Sequence, residues 1–483
     1  MLSDNDIFRL IFGFKVRYLR QQGGLSYHQL ADQTGLSKSY LNDIEKGKKY
    51  PKPDKVQALA KALEVPYDTL VSTTGHKKLQ PIIDLLHSDF FKLFPLEEFG
   101  ISPEKLLEVF MNAPDRVNAF ISTIFKLGRH YQIGEEQFYQ VALRSYQDMH
   151  NNYFPDLEEA AKAFASDLKK EWTVPALEQA LEDHYQVEVH RTKLPAQRGL
   201  RSYFQQAAQR LILNTDLSPA QERFLLAREL GFHYLELSER PYVTRILTVD
   251  SFEKLLNNFK ASYFAAAVLM PEEQLAADLH RIARESNWRP ALFTDLLDTY
   301  TVTQEMLLQR MTNLLPHHFG IEDLFFIRLQ ATEHLKAFHM TKELHLAQLH
   351  SPYNNELLEH YCRRWVSIGV LRQLAEPFSQ TSSPTELADA QISEYWGTEK
   401  AYFCLSMAKG QDERSASVTL GLLVTPHLRS VFNFLNDPAL IVKTVGTTCE
   451  RCSLPNCEAR VRPPLVLEKA QRKTNLLTEL DRL

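Results

Sequence analysis

The chain has 483 residues and a net charge of −5; 44% of its residues are hydrophobic, 24% charged and 11% aromatic. This balance is typical of a soluble protein of about three domains, and it excludes collagen-like, disordered and disulfide-scaffold chains. The longest apolar stretch, residues 263–271, is far shorter than the ~20 residues of a membrane helix, and the opening residues MLSDNDIF carry acids where a secretory signal carries bases. We therefore expect a cytoplasmic protein without membrane contact.

The charge is unevenly distributed along the chain. Residues 1–75 hold 11 Lys and Arg against 8 Asp and Glu, whereas the remainder holds 44 against 52. A basic segment attached to an acidic body indicates a small nucleic-acid-binding module joined to other domains. Hydrophobic periodicity predicts helices for most of the first 168 residues and mixed α and β structure from Trp172 onward. Strands are predicted at residues 187–190, 210–213, 324–330, 401–407 and 418–424.

The segment LSYHQLADQTGLSKSYLNDIEKGKKYP, residues 25–51, is typical of two short helices joined by a tight turn at Gly35. Leu41 and Ile44 share one inward face of the second helix. Short polar side chains at the start of such a helix suit base edges in the major groove, and lysines after it suit phosphates. The predicted DNA contacts are Ser26, Gln29, Ser37, Lys38, Ser39, Asn42, Lys46, Lys48 and Lys49.

A surface helical hairpin with a solvated basic edge is the alternative interpretation of this segment. The segment nevertheless resembles the Cro/repressor-type (XRE) helix-turn-helix domain, with matches at Ala31, Gly35, Tyr40, Ile44, Glu45 and Gly47. We expect Glu45 to be a buried or capping partner rather than a DNA contact. The resemblance implies a five-helix bundle that binds double-stranded DNA as a homodimer, on two half-sites about 34 Å apart.

The segment QERFLLARELGFHYL resembles the active-site helix of ImmA/IrrE-type metallopeptidases, whose pattern is Phe-x-x-Ala-His-Glu-x-x-His. In that pattern two histidines hold zinc and the glutamate is the general base. Here Arg228 and Phe232 stand at the histidine positions, and Asn258 stands where the family has its third, acidic ligand. Glu229 keeps the base position, while His233 lies about 100° round the helix from the required face. These replacements predict that the domain is not an enzyme, since a guanidinium repels a metal cation.

Two interpretations of these residues remain open. In the first, the former active-site cleft binds an anionic ligand through Arg228, Glu229, His233 and Asn258, because a guanidinium matches the geometry of a phosphate or carboxylate. In the second, the residues belong to a structural helix, and Arg228 is paired internally.

Three of the five cysteines lie close together in the tail, with the spacing Cys-x-x-Cys-x4-Cys. Thiolates at this spacing suit a structural zinc ion, which needs a fourth ligand. Cys362 is the best candidate for that position, whereas Cys404 lies in a predicted strand and is expected in the core. The predicted zinc ligands are Cys362, Cys449, Cys452 and Cys457. Reduced thiols without metal, a redox switch and an iron–sulfur site are the alternatives.

The order of these parts resembles the short-chain fatty acyl transcriptional regulator family. Further matches are the FAAAVLMP segment, the LFFIRLQ strand, the pair Cys362-x-x-Trp365, and Arg460 after the cysteines. The helical insert at about residues 78–168 has no counterpart among the family motifs, and Arg363 replaces a proline. The resemblance implies that an acyl-CoA or similar anionic metabolite, bound in the C-terminal or metallopeptidase-like region, modulates operator binding.

The predicted fold class is mainly α with α+β portions. The predicted parts are a five-helix helix-turn-helix bundle at 1–75, a helical linker, dimerisation or sensory region at 76–168, a degenerate zincin-like α+β domain at 169–320, and a C-terminal α+β sensory domain with the cysteine cluster at 321–483. The predicted function is that of a dimeric transcriptional regulator. A metallopeptidase that cleaves a partner repressor is one alternative, and a phage or stress regulator that answers to a partner protein is another.

Overall fold

The computed structural model of the chain describes residues 4–72, 98–101, 105, 135–168, 172–195, 199–243, 251–332, 335–345, 359–375, 386–410 and 415–480. Residues 78–97, 102–104 and 106–134, which together make up more than half of the predicted helical insert, therefore lie outside the described part. The chain divides into two compact units. The first comprises Met1–Tyr146 with Leu247–Leu256, and the second comprises Gln147–Ile246 with Asn257–Leu483.

The first unit begins with a bundle of five helices. They are α1 (Asp4–Gln22), α2 (Tyr27–Thr34), α3 (Lys38–Glu45), α4 (Pro53–Ala62) and α5 (Tyr67–Val71). Their core consists of buried apolar side chains, each of which lies on the inward face of its helix: Phe12, Val16, Leu30, Leu41, Ile44, Val56, Leu59, Ala60, Leu63 and Leu70.

Helices α1 and α3 pack so closely that only glycine fits at their crossing. A Cβ atom on Gly13 would lie 2.2 Å from the carbonyl oxygen of Ile44. A Cβ atom on Gly47, which has a φ of +69°, would lie 2.6 Å from Cδ2 of Leu10. The two glycines therefore fix the distance between α1 and the end of α3.

Helix α6 (Glu135–Met149) spans the two units, and α7 (Pro155–Leu168) and α8 (Val174–Tyr185) belong to the second. A small sheet follows, with β1 (Glu188–Thr192), β2 (Ser202–Gln205) and β3 (Arg210–Asn214) in the order β1-β3-β2. Strand β3 pairs in parallel with β1 and antiparallel with β2.

Two long helices pack beside this sheet. They are α9 (Pro219–Tyr234) and α10 (Phe252–Leu269), of which the part from Asn257 onward belongs to the second unit. A Cβ atom on Gly231 would lie 2.9 Å from Cδ1 of Phe264, so the small residue permits close contact of the two helices. The helices and the sheet share one buried core that includes Leu226, Leu230 and Phe264.

A six-stranded sheet forms the rest of the second unit, in the order β5-β4-β8-β7-β6-β9. Its strands are β4 (Leu324–Thr332), β5 (Ala337–His345), β6 (Glu386–Tyr395), β7 (Ala401–Lys409), β8 (Ala416–Leu423) and β9 (Val442–Val445). All neighbours pair antiparallel except β6 and β9, which are parallel.

Both faces of this sheet are covered, which explains why consecutive residues of a central strand, such as Leu324 to Ile327 of β4, are all buried. Leu324 and Phe326 contribute to one core with three preceding helices, and Phe325 and Ile327 contribute to the other core. The helices on the first face are α11 (Glu272–Ala283), α12 (Ala291–Tyr300) and α13 (Gln304–Phe319). Helix α14 (Val366–Ala375) covers the second face, and α15 (Pro426–Val431) and α16 (Leu465–Leu480) follow it in the chain.

The predicted fold class, mainly α with α+β portions, is confirmed. The five predicted strands correspond to β1, β3, β4, β7 and β8, whereas β2, β5, β6 and β9 were not expected. One core runs from Met270 to Leu440 and so crosses the predicted boundary between residues 320 and 321; the division into four domains stays a prediction. Among the described helices, none is both long and apolar enough to cross a membrane.

Candidate functional site

Helix α3 has a buried face and an exposed polar face, as the sequence predicts for a recognition helix. Ser37 caps its N-terminus, where the Ser37 side chain accepts a hydrogen bond of 3.2 Å from the backbone of Tyr40. Leu41 is fully buried, while Lys38 and Ser39 are exposed. The cap fixes the start of the helix, so its first turn has a defined position against a DNA groove.

The predicted contacts on α2 have a second role as helix caps. The backbone N–H of Gln29 donates to the Ser26 hydroxyl at 3.2 Å, and the Gln29 side-chain oxygen accepts from the Ser26 backbone N–H at 2.8 Å. This reciprocal capping box satisfies two N–H groups at the N-terminus of α2. Both side chains remain exposed beside α3.

Glu45 is the buried partner that the sequence predicts. It is 0% exposed, and its carboxylate accepts from Arg20 at 2.6 and 3.0 Å and from the Tyr27 hydroxyl at 2.7 Å. Burial, with the hydrogen bond to Glu45, raises the pKa of Tyr27 to about 12. The three side chains tie α1, the start of α2 and the end of α3 together.

The basic surface of the helix-turn-helix bundle differs in two ways from what the positions of the lysines in the sequence suggest. Lys15 is only 2% exposed, and its ammonium group donates to carbonyl oxygens of Thr69 and Ser72 at 3.0 and 2.6 Å, so it is unavailable to DNA. Lys55 was not predicted as a contact, yet its ammonium group lies 4.5 Å from the ring centre of Tyr40 on α3. Sequence spacing alone could not place it there, because it comes from the next helix.

The predicted lysines after α3 are exposed, and one of them is paired. Lys46, Lys48 and Lys49 all face solvent. Lys49 Nζ lies 2.8 Å from an oxygen of Asp43, and this hydrogen bond lowers the pKa of Asp43. Asn42 lies next to this pair and is partly exposed.

In the second unit, Glu229 of α9 is bound by an arginine that the sequence did not single out. Arg240 donates to the two carboxylate oxygens of Glu229 at 2.7 and 2.5 Å. Its guanidinium lies 3.8 Å from the ring centre of Phe232 and 4.6 Å from that of Phe204. His233 Nε2 is 3.2 Å from the same carboxylate, which is 1% exposed. A buried carboxylate needs a cation, but the sequence alone does not show that Glu229 is buried and so gives no signal for Arg240.

Arg228 lies beside this group and is paired within the chain. Its guanidinium donates to Asn258 Oδ1 at 3.3 Å and lies 3.5 Å from the hydroxyl of Ser202. Burial lowers the pKa of Arg228 to about 10. The structure thus brings all four predicted ligand-binding residues together, with the internal pairing of Arg228 that the second interpretation describes.

The four predicted zinc ligands, Cys362, Cys449, Cys452 and Cys457, line one narrow cavity. The backbone around them is ordered by hydrogen bonds: Arg460 donates to the carbonyl oxygens of Cys449, Cys452 and Leu454 at 2.9, 3.0 and 2.8 Å. No three of the four sulfur atoms, all within the described residues, lie within 4.8 Å of one another. Cys404 lies apart in β7, where burial raises its pKa to about 12.

A larger cavity of about 770 Å³ lies next to the cysteine cluster. Its lining is both apolar and basic: Ala337, Phe338, His339, Glu359, His360, Tyr361, Arg363, Glu450, Arg451, Arg462, Leu465 and Val466. Arg363 donates to the carbonyl oxygen of Lys336 at 2.7 Å, and its guanidinium lies 4.5 Å from the ring centre of Phe338. Sequence reasoning missed this cavity because it combines β5, which was not predicted, with residues more than 100 positions later.

Two family models match the chain. A helix-turn-helix model matches residues 16–70, and an IrrE N-terminal-like domain model matches residues 182–312. The XRE-type and ImmA/IrrE-like interpretations of these segments are therefore confirmed, whereas membership of the short-chain fatty acyl family stays a prediction.

Several transcriptional regulators are similar to the chain. RghRB of Bacillus subtilis, an HTH-type transcriptional regulator, is 39% identical over 71 residues, which are 14% of this chain and 51% of that protein. The HTH-type repressor RghR of the same organism is 39% identical over 66 residues, 14% and 49% of the two chains. The chain thus spans about half the length of these two relatives.

The similarity to one relative extends over the whole chain. RamB of Mycobacterium tuberculosis, an HTH-type transcriptional regulator, is 22% identical over 483 aligned positions, which cover 94% of each chain. A solved Mycobacterium tuberculosis transcriptional regulator is 19% identical, with a TM-score of 0.48, and covers 66% of this chain and 92% of its own. The chain thus contains segments that match a helix-turn-helix model and an IrrE N-terminal-like domain model, and over nearly its whole length it is similar to an HTH-type transcriptional regulator.

Proposed function

We propose that the protein is a cytoplasmic transcriptional regulator that binds an operator in double-stranded DNA as a homodimer. The observation that carries this proposal is the exposed first turn of α3, with Lys38 and Ser39 held outward by the Ser37 cap. Exposed lysines beyond the helix supply contacts to phosphates, which give affinity and its salt dependence.

The test is selection of bound sequences from a random duplex library by the full chain, followed by titration of the selected duplex. Asn42→Ala is expected to relax sequence preference, because a short polar side chain that reads a base edge contributes about 1–3 kcal/mol. Lys48→Ala is expected to weaken all duplexes alike and to reduce the slope of log K against log salt by about 1. Lys61→Ala, an exposed lysine at the end of α4, is the control. Equal affinity for selected and random duplexes would contradict the proposal.

The effector is proposed to be an acyl-CoA or similar anionic metabolite bound in the cavity of the C-terminal region. A volume of about 770 Å³ is within the range of small-molecule sites. The wall offers Arg363 and Arg462 for phosphate groups, and apolar surface at Phe338 and Leu465 for an acyl chain. Arg451 of the same wall is already bound to the Glu359 carboxylate, with N–O distances of 2.7, 2.8 and 3.0 Å. The region around Glu229 supports a ligand less well, because Arg240 already binds the Glu229 carboxylate and Arg228 already donates to the Asn258 amide.

Titration calorimetry with a series of CoA thioesters tests the effector. Arg462→Gln is expected to weaken binding at least tenfold, since it removes a cation from the cavity wall. Arg289→Gln, whose side chain is 64% exposed outside the cavity, is expected to bind normally. A panel without any binding would favour the alternative that a partner protein controls the regulator. An effector must also bind the DNA-competent and incompetent states with different affinity.

The cysteine cluster is proposed to hold a structural zinc ion through Cys362, Cys449, Cys452 and Cys457. Four cysteines around one cavity supply the ligands of a closed tetrahedral site once their sulfur atoms turn toward a common ion, and such a site supplies folding energy rather than chemistry. Gly446 supports the fit, because a Cβ atom there would lie 2.8 Å from Cys452 Sγ. Native mass spectrometry of the purified protein would show at least one zinc per chain. A mass that includes iron and sulfide would instead indicate an iron–sulfur site. A metal-free mass with reduced thiols would indicate that the cysteines bind no metal.

A further inference from the structure

A second group of metal-ligand side chains lies at the surface of the second unit. Glu272 begins α11, and His317 and His318 are in the last turn of α13. Within the described residues, these three form the one group of at least three such side chains whose ligand atoms all lie within 4.8 Å of one another. His318 Nε2 is 2.7 Å from Glu272 Oε1. The group is separate from the cysteine cluster, from the Glu229 region and from the large cavity.

Tyr153 holds two of the three side chains in position. Its hydroxyl donates to Glu272 Oε1 at 2.8 Å, and its ring stacks on the imidazole of His317, with the ring centres 3.9 Å apart and the planes at 5°. A hydrogen bond to a ligating carboxylate and a stacking contact to a ligating imidazole are typical of the residues that orient metal ligands.

The turn that carries Tyr153 is itself fixed on α13. Asn151 and Asn152 both have left-handed backbone conformations, with φ of 50° and 53°. Asn152 is 1% exposed; its side chain donates to the Thr312 hydroxyl at 2.8 Å, and its carbonyl oxygen accepts from the Asn313 side chain at 2.8 Å. These buried contacts place Tyr153 against the end of the same helix that carries the two histidines, so the ligand group is built before any ion arrives.

We propose that Glu272, His317 and His318 bind a divalent transition-metal ion, of which zinc is the physiological candidate. Two imidazole nitrogens and one carboxylate oxygen are a preferred ligand set for Zn²⁺ and Ni²⁺, and a water molecule completes the coordination. The histidines lie at the C-terminal end of α13, where the helix dipole favours a cation. His317 is exposed and the other two are partly exposed, so an ion can enter from solvent.

Binding would connect segments that are far apart in the chain. The ion would join the start of α11 to the end of α13 and, through Tyr153, to the turn before α7. A ligand that binds the folded state alone stabilises it in proportion to the logarithm of its concentration. The stability of this part of the second unit would therefore depend on the available metal, independently of the cysteine cluster.

The experiment is a titration of the full chain with Zn²⁺, with the metal content of the cysteine cluster measured first and matched between variants. The variant is His317→Ala/His318→Ala. The matched control is His28→Ala/His190→Ala, which removes two exposed histidines that also lie beside carboxylates. Wild type and control are expected to bind one additional equivalent of Zn²⁺, and the variant is expected to lose it. The proposal would be overturned if the variant bound the additional equivalent of Zn²⁺ as wild type does, or if the control lost it as well.

Two further measurements separate a metal site from a surface ion pair. Tyr153→Phe keeps the ring but removes the hydroxyl bonded to Glu272, and we expect it to weaken Zn²⁺ binding by about tenfold. Zn²⁺ is expected to raise the urea midpoint of wild type, followed by tryptophan fluorescence, and to leave that of the double histidine variant unchanged. A variant that still gains stability from Zn²⁺, or a Tyr153→Phe protein with wild-type affinity, would contradict the proposal.

Discussion

Arg240 and Glu229 form a buried, two-point ion pair at the position of the general base in the ImmA/IrrE pattern. The guanidinium nitrogens lie 2.7 and 2.5 Å from the two carboxylate oxygens, and the side chains are 7% and 1% exposed. A carboxylate held in this way cannot accept a proton from a water molecule unless the pair opens. The pair thus adds to the replacement of the zinc ligands by Arg228 and Phe232 as an argument against peptidase chemistry in this domain.

Breaking this pair should destabilise the second unit strongly. Arg240→Met leaves the Glu229 carboxylate buried without its main cation, and we expect a loss of about 3–5 kcal/mol in the free energy of unfolding. The measurement is urea denaturation followed by tryptophan fluorescence, because all four tryptophans of the chain lie in the second unit.

The matched control is the double variant Arg240→Met/Glu229→Leu. It removes both charges, so it should recover most of the stability lost by Arg240→Met alone. If the double variant were as unstable as the single one, the loss would come from packing against Phe232 and Phe204 instead of from the unpaired charge.

The Arg240–Glu229 pair also predicts the direction in which the stability of the second unit changes with pH. Burial alone would raise the pKa of Glu229, but its contacts with His233 and Arg240 outweigh burial and hold the pKa below its usual value. A carboxylate whose pKa is lowered in the folded state stabilises the fold at pH values above the pKa of an unfolded glutamate. This contribution is lost as the pH falls through the pKa of the folded state. The difference in stability between wild type and Glu229→Gln should therefore be largest near neutral pH and shrink in acid. A difference that grows below pH ~4.5 would contradict this assignment.

The helix-turn-helix bundle depends on Glu45 in a comparable way. Glu45→Ala leaves Arg20 buried without its carboxylate and removes the acceptor of the Tyr27 hydroxyl. We expect a loss of about 3–5 kcal/mol and loss of DNA binding, although Glu45 itself does not face DNA. Hydrogen exchange of the α2 and α3 amides, measured by mass spectrometry, should show faster exchange. Asp32→Ala, which removes an exposed carboxylate on α2, should leave exchange and DNA binding nearly unchanged.

Local sequence patterns predicted the helices and strands that depend on interactions between residues close together in the chain. Ser37, Leu41 and Ile44 lie where helix capping and a three-residue spacing put them. The apolar run from Leu324 to Ile327 in β4 also predicted a strand, because burial on both faces of a sheet favours a continuous apolar run. Strand β5 was missed, since its sequence AFHMTKELH mixes polar and apolar residues, as expected at the edge of a sheet.

Contacts between distant residues were beyond the reach of these patterns. Arg240 is 11 positions from Glu229, and neither residue type nor spacing marks it as the partner. For the cysteines, by contrast, the sequence did indicate a distant neighbour. Cys362 was chosen because a tetrahedral site needs a fourth ligand, and the structure places it in the same cavity as the three tail cysteines. A required ligand number can therefore point to a distant residue when its type is rare, which arginine is not. Zinc binding by the four cysteines stays a prediction.

Gly446 provides a direct test of the cysteine cluster. A Cβ atom there would lie 2.8 Å from both Cβ and Sγ of Cys452, so Gly446→Ala must displace this side chain from the cavity. We expect the variant to lose bound metal to a chelator at least tenfold faster than wild type, measured as zinc released over time.

Gly369→Ala is the matched control, because a Cβ atom at Gly369, inside α14, has nothing within 4 Å. This replacement should stabilise the helix by about 0.5–1 kcal/mol and leave metal release unchanged. Metal release at the same rate from Gly446→Ala and Gly369→Ala would mean that Cys452 is not a ligand, since displacing its sulfur would then have no consequence for the ion.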